Sequence, residues 1–123
     1  MDNQIKSTLL FIRELTKDWE KFTIATEADR TPLIVCLAQK KTGCGMKARF
    51  AQFLLTLLGY EVEIIRGYYL SPERWTLHVW IKINGLEIDP TRSDFKITDK
   101  HSYTNPDPHL TDWEQVFERI QKS

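Results

Sequence analysis

A thiol, an imidazole and a carboxylate can supply a nucleophile, a general base and a group that orients the base. This sequence holds one candidate of each kind, Cys44, His78 and Asp89. Cys44 stands between Gly43 and Gly45, just before the clearest helical pattern in the chain. A thiol at a helix start feels the positive end of the helix dipole. That favours the thiolate, the form that attacks. The flanking glycines leave space for a substrate backbone. The plainer alternative is a small buried hydrophobe, the commoner fate of a lone cysteine.

His78 and Asp89 are related through a turn. Asn84-Gly85 is a strong short hairpin signal. A two-residue turn there sets Ile83 opposite Leu86, Lys82 opposite Glu87 and Ile81 opposite Ile88, with Trp80 facing Asp89. The Lys82–Glu87 pair is favourable across strands, which supports the register. His78 and Trp80 then share a face with Asp89. His78 is the diagonal neighbour of Asp89, with backbone positions roughly 7–8 Å apart. Side chains close such a gap, so the hairpin predicts a His78–Asp89 hydrogen bond. Taken singly, His78 could be a half-buried strand residue and Asp89 a turn former before Pro90. Together the three supply the roles of a Cys–His–Asp triad.

The elements that hold these residues follow from hydrophobic period. Ile5, Leu9, Ile12, Leu15, Trp19 and Phe22 step by three and four, which predicts a helix to about Glu20, with Asp2 and Asn3 as cap candidates. Thr31-Pro32 reads as a cap followed by a first-turn proline. Leu33 to Ala38 is apolar on every side, a buried short helix or a buried strand, and Gly43 breaks it. From Gly45 to Leu58, one broad apolar face is expected from Met46, Phe50, Phe53, Leu54, Leu57 and Leu58, with Gly59 ending the helix. Tyr60 to Tyr69 reads as a strand. Trp75 to Ile83 alternates, with Val79, Ile81 and Ile83 on one face and His78, Trp80 and Lys82 on the other. Leu86 to Asp89 is the return strand. Thr98 to Leu110 reads as a polar loop in which His101 and His109 are solvated. Thr111 with Glu114 makes a capping box for a closing helix of Trp113, Val116, Phe117 and Ile120. Helices, then an antiparallel meander, then a helix define an α+β class, expected as one domain over residues 1–123.

The bulk numbers exclude several classes. With 17 basic and 17 acidic side chains the formal net charge is zero, which removes the bulk electrostatic case for a nucleic-acid partner. No stretch approaches the ~20 apolar residues of a membrane helix. Leu9 to Ile12, followed by Arg13 and Glu14, is too short for the core of a signal peptide. A cytoplasmic protein with no membrane partner is expected. Cys36 and Cys44 are too few for a disulfide framework, so both are expected as reduced thiols. Cys36 sits in an apolar run and reads as a buried small side chain. A zinc site from Cys36, Cys44 and His78 lacks a close ligand pair such as C-x₂-C. No metal and no other cofactor is expected.

The stretch from Gly43 to Thr91, about 49 of the 123 residues, resembles the core of the transglutaminase-like superfamily, a branch of the papain-like cysteine enzymes. Three pieces carry the resemblance. One is Gly43-Cys44-Gly45 followed by Ala48, Phe50, Leu54, Leu55 and Leu58, then Gly59-Tyr60. Another is Arg66-Gly67-Tyr68 at a strand end. The last is His78-Val79-Trp80 with Gly85, then Asp89-Pro90-Thr91. The resemblance implies a papain-like fold, with N-terminal helices, the cysteine-bearing one included, packed on a small antiparallel sheet. It implies Cys44 as nucleophile, His78 as base and Asp89 as orienter. Donors to an oxyanion would come from backbone N–H groups around Cys44 and Gly45, with Gln39 as a side-chain candidate. Trp80, Tyr68 and Trp75 are candidates for the substrate groove; the plainer alternatives are packing for Trp80 and an ordinary hairpin connection over Tyr69 to Trp75.

The implied chemistry is acyl transfer on a peptide or protein amide through a thioester, with peptidase the favoured outcome. A similarity to the small leader peptidases of lasso-peptide maturation leaves room for a partner protein in a maturation complex. Transglutaminase and glutamine deamidase activities use the same three groups. A different class, a catalytically inactive binding or partner module of the same fold, is the remaining alternative.

Overall fold

The computed structural model describes residues 1–122, the side chains of Ile120 and Lys122 excepted. Helix α1 (Asn3–Thr16) is capped by Asp2, whose carboxylate accepts the Ile5 N–H at 2.9 Å. Ile5, Leu9 and Ile12 form its buried stripe, as the period predicts. The helix stops four residues before Glu20 because the chain turns there to pair. Strand β1 (Glu20–Lys21) runs parallel to β2 (Lys41–Thr42).

Between them lie two short helices. Helix α2 (Ala25–Arg30) was not anticipated: six residues with only Ala28 buried carry no readable period. Helix α3 (Leu33–Gln39) resolves the choice between helix and strand. It is not buried on every side: Ile34 is 72% exposed and Cys36 fully buried. Lys40, at φ 54°, takes the left-handed conformation that ends it.

Helix α4 (Cys44–Leu57) carries the thiol at its first residue. Gly59, at φ +95°, closes its far end as expected. Its core face differs from the expected one. Met46, Ala48, Phe50, Ala51 and Leu55 are buried, whereas Phe53, Leu57 and Leu58 are at least half exposed. Two alanines, each fully buried, let neighbouring elements come close, and they move the seam away from the larger apolar residues.

The sheet has the order β5-β4-β3-β6 and is antiparallel throughout. It comprises β3 (Val62–Leu70), β4 (Trp75–Ile83), β5 (Leu86–Ile88) and β6 (His101–Ser102). Ile83 pairs with Leu86, Lys82 with Glu87 and Ile81 with Ile88, the register read from the turn. Asn84 and Gly85 both have positive φ, the type I′ requirement. Tyr68, Val79, Ile81 and Ile83 face the core with α1 and α4. His78 and Trp80 alternate to the opposite face, where the segment after Asp89 covers them.

That segment contains β6, within a stretch expected to be a loop. It ends in α5 (Trp113–Lys122). The capping box forms one residue later than expected. Asp112 accepts the Gln115 N–H at 2.9 Å while Gln115 accepts the Asp112 N–H at 3.1 Å. Trp113 is buried, and its indole N–H donates to the Gly67 carbonyl at 2.8 Å. The Ile120 side chain, expected on the same face, lies outside the described residues. The elements are mixed helix and antiparallel sheet, an α+β arrangement. Among the described residues, no helix is long and apolar enough to cross a membrane.

Candidate active site

Cys44 is the first residue of α4, with Gly43 at the cap position. The first bond of that helix runs from the Lys47 N–H to the Gly43 carbonyl at 2.9 Å. The N–H groups of Cys44, Gly45 and Met46 therefore have no acceptor within the helix. The two glycines serve a purpose other than the one expected. A Cβ on Gly43 would lie 2.7 Å from the Ala28 Cβ, and one on Gly45 2.8 Å from the Asp29 Cα. Both faces are taken by α2, so the glycines admit that helix and not a substrate backbone. Gly43, at φ −178°, is extended, so space and not backbone conformation selects it.

Helix α2 is itself tied down. The Arg66 guanidinium grips the Asp29 carboxylate with two hydrogen bonds, 2.9 and 3.1 Å. Arg49 donates to the carbonyls of Ala28 and Thr31, each at 2.6 Å. The position of the thiol thus depends on a helix that the sequence barely signals.

His78 Nε2 and Asp89 Oδ2 are 2.7 Å apart, the hydrogen bond that the hairpin register predicts. Asp89 follows β5 and is fully buried. Its Oδ1 accepts the Thr91 hydroxyl at 2.6 Å and the Thr91 N–H at 3.0 Å. Its Oδ2 takes a second imidazole, His101 Nε2, at 2.8 Å. His101 is therefore buried against Asp89, contrary to the expectation that it is solvated. His109, in contrast, is exposed as expected.

Burial acts against the charge of Asp89. The hydrogen bonds from His78, Thr91 and His101 outweigh it and hold the carboxyl well below the usual range. His78 shows the mirror image. Burial pushes its imidazole down, but the Asp89 hydrogen bond and the neighbouring Cys44 thiol raise it from 6.5 to about 9. Because Nε2 faces Asp89, Nδ1 is the nitrogen left for Cys44. No thiol–imidazole hydrogen bond is formed among the described residues. The thiol is nonetheless near enough to raise the imidazole.

The packing around the pair is aromatic. The Tyr69 ring lies 5.1 Å from His78 and 4.8 Å from His101 between centroids. Trp80 is 1% exposed, and its indole N–H donates to Glu87 at 2.8 Å. It supports the site from below and does not line a groove. Gly67, opposite His78 in the sheet, makes this possible. A Cβ there would lie 2.3 Å from the indole of Trp80 and 2.6 Å from the Ser102 carbonyl.

Two other groove candidates separate in the structure. Tyr68 is in the core, and its hydroxyl accepts the Trp113 N–H at 3.0 Å, so it is not a groove residue. Trp75 lines a cleft of about 530 Å³ with Ile24, Ala25, Thr76, Leu77 and Leu110. Gln39 is exposed at the end of α3, and its amide makes no hydrogen bond among the described residues. Lys47, not anticipated, lies one turn after Cys44. Burial and then Lys21 push its amine below the usual lysine range.

The ligand atoms of His78, Asp89 and His101 all lie within 4.8 Å of one another, a set that could in principle hold a metal ion. The donor roles argue against that use. The Thr98 N–H donates to His101 Nδ1 at 3.0 Å, so the ring proton sits on Nε2, where a metal would need a lone pair. Metal-bound histidines have the reverse pattern, with the second nitrogen donating. Residues that sequence reasoning missed are His101, Thr91 as a partner of Asp89, and Lys47. Only Thr91 left a local signal, as Asp89-Pro90-Thr91 has the spacing of an Asx turn. A scan against protein-family models and a search of curated proteins give no match to this chain.

Proposed function

We propose that this chain is a transglutaminase-like cysteine enzyme of papain-like fold that cleaves or transfers an amide acyl group of a peptide or protein. Cys44 is the nucleophile, His78 the base and Asp89 the orienting group. The observation that carries the reading is the two-ended use of His78: Nε2 on Asp89 at 2.7 Å, Nδ1 left for a thiol that raises the ring. A plain half-buried histidine has no need of a buried carboxylate with four donors on it.

The Cys44 sulfur bonds to the amide carbon, and the proton it loses resides on His78. His78 gives that proton to the departing nitrogen as the C–N bond breaks, leaving a thioester. Water or an amine, deprotonated by His78, then releases the acyl group. Water on a peptide bond gives peptidase activity, the favoured outcome. Water on a glutamine side chain gives deamidation, and an amine gives cross-linking. The N–H groups of Cys44, Gly45 and Met46, which have no acceptor within α4, are the donors we assign to the oxyanion.

Iodoacetamide alkylation followed by intact mass tests the reading. Cys44 should react at neutral pH at least about tenfold faster than a small free thiol, as expected of a thiolate paired with an imidazolium. His78→Ala should remove the advantage. Cys36, fully buried, stays unlabelled while the protein is folded and serves as the folding control. A Cys44 rate equal to that of the free thiol sinks the proposal. Incubation with a peptide extract should then leave an acyl adduct on Cys44.

A further inference from the structure

Asp89 accepts more hydrogen bonds than the orientation of one imidazole requires. His101 occupies the same oxygen as His78, at 2.8 Å against 2.7 Å. Its side chain is 1% exposed, so solvent does not share the ring. Both ring nitrogens have fixed roles. The Thr98 backbone N–H donates to Nδ1 at 3.0 Å, which leaves the proton on Nε2, aimed at Asp89. Pairing places the residue: His101 lies opposite Tyr69 in the β3–β6 ladder. Its ring centroid is 4.8 Å from Tyr69 and 5.2 Å from Trp80. Two residues on, Tyr103 donates to Glu87, which also takes the Trp80 N–H. The segment is thus pinned at both ends of the indole.

We infer that His101 is a positioning residue: it clamps the Asp89 carboxylate opposite His78, so that the shared oxygen stays charged and aimed while His78 turns Nδ1 to Cys44. This deepens the proposed active site and rests on that reading. A buried carboxylate that loses one donor is left with an unpaired lone pair. It relieves this by turning or by admitting water, and either change moves His78 relative to Cys44.

Two variants separate donation from space filling. His101→Gln keeps an N–H near the Nε2 position. His101→Phe keeps a ring between Tyr69 and Trp80 and has no donor. Cys44 alkylation is followed as a function of pH, together with the melting temperature. His101→Gln should stay within about threefold of the wild-type rate, and His101→Phe should fall roughly tenfold or more. The His101→Phe pH profile should also move up towards that of an ordinary thiol. Retention of the wild-type profile by His101→Phe, or equal loss in both variants, overturns the inference.

A second measurement needs no variant and no reactive thiol. Nitrogen-15 NMR of the wild-type protein near neutral pH should show His101 with its proton on Nε2. A proton on Nδ1, or rapid averaging between the two, overturns the clamp. If wild-type Cys44 reacts no faster than a free thiol, the active-site proposal fails. The ring tautomer and the order of melting temperatures still judge His101: Phe below Gln supports the clamp, and the reverse overturns it.

Discussion

Asp89→Asn removes a charge while keeping the shape of the side chain. The carboxylate accepts from His78, His101 and twice from Thr91. An amide offers one acceptor oxygen and one NH₂ group. The Thr91 backbone N–H can only donate, so the amide oxygen must face Thr91 and the NH₂ must face the two imidazoles. His101 cannot adapt, because its Nδ1 is held by the Thr98 N–H. His78 adapts by moving its proton from Nε2 to Nδ1, the nitrogen left for Cys44. The base is then in the wrong tautomer to accept a thiol proton. In serine triads the same exchange lowers kcat on the order of 10⁴-fold.

The electrostatic part can be measured without a substrate. Wild-type His78 is raised from 6.5 to about 9. At ~1.4 kcal/mol per pKa unit, that difference corresponds to roughly 3–4 kcal/mol. Its folded value lies above its unfolded value, so this stabilisation is full below 6.5 and is lost as pH rises through about 9. Asp89 is depressed, so its share is full above its ordinary value of 3.8 and is lost as pH falls below that. The wild-type protein should therefore be most stable between 3.8 and 6.5 and weaken towards 9. In Asp89→Asn the charge is gone and the lowering effect of burial remains. The raising effect of Cys44 remains too, so His78 should titrate clearly below its wild-type value of about 9, and the slope above neutrality should flatten. Urea unfolding at a series of pH values, with NMR titration of the His78 ring, reads both effects. A wild-type His78 that titrates near 6.5, or a variant that keeps the alkaline loss, refutes the reasoning.

Two glycines give sharper structural tests. Gly45→Ala puts a Cβ 2.8 Å from the Asp29 Cα and 2.9 Å from its backbone nitrogen, atoms that cannot swing aside. It should cost about 1–3 kcal/mol in urea unfolding and slow Cys44 alkylation, because α4 and the thiol must shift together. Gly67→Ala drives a Cβ to 2.3 Å from the Trp80 indole and 2.6 Å from the Ser102 carbonyl. It should cost a similar ~1–3 kcal/mol and red-shift tryptophan fluorescence as Trp80 is displaced.

Much of the fold was legible because it is local. The period of α1, the glycine end of α4 and the alternation of β4 are all fixed by neighbours a few residues away. Failures occurred where packing between distant segments decides. Helix α2 has one buried side chain and is held by Arg49 and Arg66, 18 to 37 residues further along the chain. On α4, side-chain size is a poor guide to burial. The fully buried positions include Ala48 and Ala51, chosen for close approach, while Leu57 is 70% exposed. Helix α1 ends before its apolar period does, because Glu20 pairs with Lys41, a residue far along the chain in a separate two-stranded sheet, and nothing near Glu20 reveals that pairing.

The candidate site divides along the same line. The His78–Asp89 bond spans one hairpin, and a two-residue turn fixes its register, so counting residues back from Asn84-Gly85 was enough. His101 is only 12 residues from Asp89, yet it sits on the far edge of the sheet, with β3 and β4 between. It reaches Asp89 across a face that stays open because residue 67 has no side chain. A histidine in a polar stretch gives no sign of such a path. The glycines around Cys44 show the converse: their place beside the thiol is plain in the sequence, and the packing that requires them is not. Their open faces are filled by Ala28 and Asp29, so under the proposed function a substrate would reach the thiol from a side that α2 does not cover.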